Sequence, residues 1–138
     1  MEVLKSEFSF LEFLIEESII SRKPIEEKGI LNIDVIPSGI IEKSKKIFQL
    51  RLDVSVSENN DRFKAKIVAI GLFLFNEISD ANSLPDYFYI NAPAIMFPFI
   101  RSYISALTAL SGMESINLPI VRMANLVEKL KENTMELD

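Results

Sequence analysis

The chain has no cysteine, no histidine and no tryptophan, and only four glycines in 138 residues. Without cysteine there is no disulfide, no thiol nucleophile and no Cys/His zinc site within the chain. Without histidine the usual general base near neutral pH is missing. Gly29, Gly39, Gly71 and Gly112 stand too far apart to build a phosphate-cradling loop. There is no basic block, and a net charge of −5 removes the non-specific attraction to phosphate that supports nucleic-acid binding. The start, MEVLKSEFSF, has no basic segment leading into an apolar one, so no signal peptide is expected. The lack of cysteine points the same way, to the cytoplasm.

What is present is a globular composition, 49% hydrophobic and 25% charged, at a length that suits one domain over residues 1–138. Residues 47–57, IFQLRLDVSVS, alternate cleanly. Phe48, Leu50, Leu52, Val54 and Val56 share one face of a strand, with polar side chains opposite. Residues 58–61, ENND, read as a turn, and residues 62–75 as the returning strand. Residues 7–21 and 30–36 are two further strands, with a connecting loop over 37–45. A long connection over 76–91 leads to helices at about 92–111 and 119–132. Strands gathered first and helices last predict an α+β layer, with the helices on one face of an antiparallel sheet.

The stretch 92–112, APAIMFPFIRSYISALTALSG, carries a single charge, Arg101. As a membrane span it would place that arginine at the bilayer centre, at a cost of about 2.5–3.5 kcal/mol. A helix within a folded domain fits better, with Pro93 in the first turn and Gly112 just past the end. Its face opposite the apolar side is thin and almost uncharged, running through Arg101, Ser105 and Thr108. Cover on both sides is therefore expected, the sheet on one and a second subunit on the other, with Ser102 and Ala109 joining that interface.

The segment NAPAIMFPFIRSYISALTALSGMESINLPIVRMANLV resembles the C-terminal half of the SecB family of protein-export chaperones. That family opens its long helix with a proline and then Leu-Phe-Pro-Tyr-Ala-Arg. Here Pro93 is followed by Met96-Phe97-Pro98-Phe99-Ile100-Arg101, and Gly112, Asn117, Leu118 and Pro119 match the approach to the second helix. The resemblance implies a four-stranded antiparallel sheet with two helices, assembled as a homotetramer, a dimer of dimers. It implies a holdase without ATP, cofactor or metal, whose partners are unfolded or preprotein polypeptides held in apolar grooves, with no insertion into membranes. Such a site needs exposed apolar surface and soluble charge elsewhere.

On that resemblance the groove lies between Ile40 and Ile41, the loop bearing Met113, Ile116 and Leu118, and the last helix with Val121, Met123, Leu126, Val127 and Leu130. Tyr87 and Phe88 contribute from an aromatic cluster with Tyr89. Two departures concern the export motor ATPase. Family members close in a zinc-binding tail that contacts the motor, whereas residues 132–138 read ENTMELD. The family's acidic outer patch includes Leu-x-Glu in the third strand, where this chain has Lys64-Ala65-Lys66, and Glu17 is the remaining acidic match. The alternatives are a chaperone dedicated to one client, such as the antitoxin of a toxin–antitoxin pair, and a small enzyme using Glu16 with Glu17, or Asp53 opposite Lys66.

Overall fold

The computed structural model describes residues 8–78 and 80–137. Among them are β1 (Phe8–Arg22), β2 (Leu31–Glu42), β3 (Ile47–Glu58), β4 (Phe63–Phe75), α1 (Asp86–Leu110), α2 (Val127–Glu132) and β5 (Thr134–Leu137). One sheet holds all five strands in the order β1-β4-β3-β2-β5. The first four are antiparallel neighbours, while β5 runs parallel to β2. The expected four-stranded antiparallel sheet is thus corrected to a five-stranded mixed one. The extra strand comes from the polar–apolar alternation of Thr134, Met135, Glu136 and Leu137, too short to read as a strand by itself.

Pro37 and Gly39 mark a loop by propensity, yet β2 runs through both to Glu42. The ladder explains why. The Gly39 N–H donates away from β3, to the Asn133 carbonyl. Residues two apart on a strand point the same way, so residue 37 also faces the edge opposite β3. Its missing N–H therefore costs no bond to β3, the one setting in which a strand tolerates proline. The inward alternation of Leu31, Ile33, Val35, Pro37, Gly39 and Ile41 against β3 is unbroken.

Helix α1 begins at Asp86, earlier than expected. Pro85 caps it at φ −71, and Asp86 lies in the first turn where the helix end favours negative charge. Pro93 and Pro98 are consequently both interior. The helix continues past them because Phe88, Ala92, Met96, Ile100 and Ile104 form a fully buried stripe at four-residue spacing. The second helix is shorter than expected. Residues 119–122 are irregular, Met123–Leu126 make a tight 3-10 turn, and only Val127–Glu132 is α-helical.

The core lies between α1 and the inner sheet face, where Phe48, Leu50, Leu52, Val54, Phe63, Ile67 and Phe73 are fully buried. Gly71 lets the helix settle onto β4, since a Cβ there would lie 2.6 Å from Met96 Sδ. Phe88 sits at the centre of an aromatic cluster, with ring centroids 4.8 Å from Phe48 and Phe75 and 5.0 Å from Phe8. On the outer face Val68 and Ile70 are also buried, flanked in register by Glu17 and Asp53 and by Leu14 and Arg51. Side chains of the adjoining strands thus stand beside this stretch, where the composition suggests a covering layer.

Candidate functional site

Among the described residues, no strand pairs with the outer edge of β2 beyond the stretch that β5 covers. Leu31, Ile33 and Val35 have side chains half-buried against the core, and their backbone groups face the edge away from β3. The 3-10 turn and α2 pack against β2. Val121, Leu126 and Met113 are likewise half-buried against the core, as an apolar groove lining must be. Ile30, Ile120 and Leu110 project further and are 71%, 85% and 87% exposed. Apolar side chains left this exposed are candidates for contact with an apolar partner.

The loop after α1 is held by the polar stripe of that helix. The Arg101 guanidinium donates to the Leu118 carbonyl (3.1 Å), and the Ser105 hydroxyl to the Ile116 carbonyl (3.0 Å). Thr108, fully buried, donates to the Ile104 carbonyl and accepts from the Ile116 N–H (2.9 Å). Three of the five residues expected at a subunit interface therefore bind the chain's own loop. Ser102 and Ala109 are exposed, and Ser102 and Ala106 border an open cleft of about 630 Å³ with Pro98 and Leu118. The uncharged stripe is explained in part by contacts within the chain.

Two adjoining clefts of about 460 and 160 Å³ share Arg62 and Glu114, and lie between the β1–β2 crossover and this loop. Contacts bridge them: Lys28 pairs with Glu114 at 2.7 Å, and Arg22 donates to the Gly112 carbonyl. Behind them is Glu58, almost wholly buried, accepting from Arg62 Nε (2.7 Å) and the Gly29 N–H (2.6 Å). Burial pushes its carboxyl up, but those two hydrogen bonds together with the charges of Arg62 and Lys28 outweigh it and hold the pKa below the ordinary value. Asn59 and Asn60 add bonds to Ile30 and Glu27, so the β3–β4 turn fastens the crossover.

The outer sheet face is one of paired charges. Arg51 bonds Asp53 (3.1 Å) and approaches Glu16 (3.8 Å), while Lys66 approaches Glu17 (3.8 Å). Asp53 stands across from Val68 and not from Lys66, which faces Ser55, so the expected Asp53–Lys66 pairing does not form. The two residues share a face but stand diagonally, since the partner of Lys66 is two residues along β3 from Asp53. Lys64 and Lys66 lie in β4, and Glu17 is thus matched by a cation.

The structure distributes the expected groove residues over three settings. Met113, Val121 and Leu126 are half-buried against the core. Ile116, Leu118, Met123, Val127 and Leu130 are buried, as are Ile41 and Phe88 in the main core. Ile40 points to the outer face beside Met135, because it is one step out of phase with Ile41, and Tyr87 is exposed. Leu31, Ile33 and Val35 are half-buried on the same inward face of β2 as Ile41, without having been singled out in the sequence. Their alternation, continuing through Pro37 to Ile41, is the signal that would have found them.

Comparison with known proteins gives concordant results. A family described as "Preprotein translocase subunit SecB" matches residues 25–134. A protein-export protein SecB from Anaplasma marginale (strain Florida) is 25% identical over 111 residues, covering 75% of this chain and 63% of the relative. The SecB of Dinoroseobacter shibae is 23% identical over 125 residues, with 86% and 72% covered. The chain thus spans somewhat under two-thirds of the Anaplasma relative's length. Among solved structures, a SecB-like chaperone of Mycobacterium tuberculosis, in complex with a ChAD peptide from the HigA1 antitoxin, superposes with a TM-score of 0.71. Its identity is 16%, covering 83% of this chain and 88% of that one, a likeness in fold.

Proposed function

The chain belongs to the SecB family, and from that membership we propose that it is an ATP-independent cytoplasmic holdase that keeps unfolded preproteins competent for translocation. The observation that carries this reading is the half-buried apolar lining of Leu31, Ile33, Val35, Met113, Val121 and Leu126 beside an open sheet edge. Binding there takes extended chains by their apolar side chains and calls for no acid, base or metal. Met113 adapts to different side chains because an unbranched thioether repacks readily.

The working unit is a homotetramer, with exposed Ser102, Ala106 and Ala109 of α1 at the interface. Small side chains there let helices approach closely. Docking on the export motor is weak in this reading, because Lys66 and Arg51 neutralise the carboxylates of the outer face.

Light scattering after size exclusion tests the reading, with and without an unfolded, non-aggregating polypeptide. The expected result is a mass near four subunits that shifts to a stable complex. Leu126→Asp is expected to weaken that complex at least about tenfold, since a carboxylate in an apolar groove is desolvated by the client. A monomer that ignores unfolded chains sinks the proposal.

A second reading is supported by the antitoxin peptide bound to the structural neighbour. In it the chain serves one client, an antitoxin. Competition settles the choice: an antitoxin segment that displaces generic unfolded chains at a hundredfold lower concentration favours dedication, and equal potency favours the general role.

A further inference from the structure

Strand β5 occupies the β2 edge next to its open stretch, and its seating resembles that of a bound peptide. It pairs in parallel over Gly39–Thr134, Ile40–Met135, Ile41–Glu136 and Glu42–Leu137. Among the described residues it has a strand on one side only, and Met135 and Leu137 are 63% and 46% exposed. The same edge continues past Pro37 to Val35 and Ile33, whose outward backbone groups have no strand beyond them among the described residues. A short edge strand of this kind opens at little cost in free energy. An unpaired edge is in turn a template for any extended chain.

We propose that β5 is a displaceable strap, an intramolecular stand-in for client, and that an extended segment with alternating apolar side chains displaces it to pair along β2 from Ile33 to Ile41. The proposal rests on the holdase reading above. Its physical basis is competition: a tethered strand is present at high effective concentration, and the affinity of an incoming one is multiplied by the fraction of time the strap is unseated. Two of the side-chain bonds that hold it act as tethers. The Asn133 side-chain amide donates to the Pro37 carbonyl (2.9 Å), and Glu136 accepts from the Ala81 N–H (3.0 Å). The first lies at the root of the strap and sets its register, while the second can be released alone. Pro37, lacking a donor, separates the strapped from the open stretch, so a client can begin at Val35 and Ile33 before β5 leaves.

The chain's lack of cysteine allows a clean test. Ile40 and Met135 are direct neighbours across the β2–β5 ladder, about 4.8 Å apart at Cα, which is within disulfide reach. The double variant Ile40→Cys/Met135→Cys is made in the full chain, and binding of a fluorescent, permanently unfolded polypeptide is measured oxidised and then reduced with dithiothreitol. The oxidised protein, with the strap locked, is expected to bind at least about tenfold more weakly than the same sample reduced. Glu136→Ala, which frees one tether without a crosslink, is expected to bind a few-fold more tightly than the unaltered chain. Equal affinity in both redox states, with Glu136→Ala unchanged, overturns the strap and leaves the holdase intact. No binding in any sample, the unaltered chain included, overturns the holdase reading itself.

Discussion

Phe88→Ala is expected to lower stability by about 3–5 kcal/mol, the usual cost of removing a buried phenyl ring. The ring is fully enclosed and meets five others, Phe8, Phe48, Phe73, Phe75 and Tyr89, several of them edge-to-face. It also joins α1 to β1, β3 and β4 at one point, so a cavity there cannot close by moving one element. For a chain of this size the loss corresponds to a drop in Tm of roughly 10–15 °C. Against a typical total of about 5–15 kcal/mol, the variant approaches the limit of folding. Phe99→Ala is the contrast. That ring is about half exposed and stacks on Phe13 at 5.1 Å, so its loss is expected to cost about 1 kcal/mol or less.

The same position also separates core from groove. Phe88→Leu keeps most of the buried volume, and its cost is about 1–2 kcal/mol. Affinity for unfolded polypeptide is expected to stay unchanged in this variant, because no surface of Phe88 is available to a client. Loss of binding in a well-folded Phe88→Leu protein would place the aromatic cluster within the groove and require α1 to open. Denaturation and client titration on one preparation decide between the two.

The strand alternation of β3 and the apolar returning strand were plain in the sequence because burial on one or both faces imposes a period that few other structures share. The long helix was plain for a different reason: a strong apolar stripe survives two prolines when the sheet holds it. Its beginning was not, since Pro85 and the aromatics after it read equally well as a loop. The β2 edge was hidden because Pro37 and Gly39 break strands in general and are harmless only on an edge, a fact that depends on strand order. Ile40 was placed by its neighbour and not by its phase, and phase alone decides the face. Thr108 and Ser105 illustrate the limit most clearly. Their positions on an uncharged stripe were visible, but whether a second subunit or the chain's own loop satisfies them is a matter of tertiary contact.

Glu58→Gln is expected to cost about 3 kcal/mol at pH 7, because breaking a buried ion pair leaves its partner without compensation. The figure is at the lower end of the range since the Arg62 side chain remains 18% exposed. The pH dependence follows from the direction of the shift. Burial raises the Glu58 pKa, but the hydrogen bonds from Arg62 and Gly29 and the nearby positive charge lower it further, so the folded value lies below the ordinary 4.5. A folded pKa below the unfolded one adds stability above about pH 4.5, and that contribution is lost as pH falls through the folded value. The gap between the unaltered chain and Glu58→Gln should thus be widest near neutrality and close in acid. Urea denaturation of both proteins at pH 7 and pH 3 measures it, and a gap that persists unchanged in acid would mean that it does not come from the ionised carboxylate. The consequence reaches the groove through the crossover. Glu58, Asn59 and Asn60 fasten residues 27–30 to the β3–β4 turn, and Lys28 in that segment holds Glu114 on the loop that carries Met113 and Ile116. A variant that loosens this turn should bind clients less tightly at pH 7 even where it remains folded, while the Phe88→Leu chain does not.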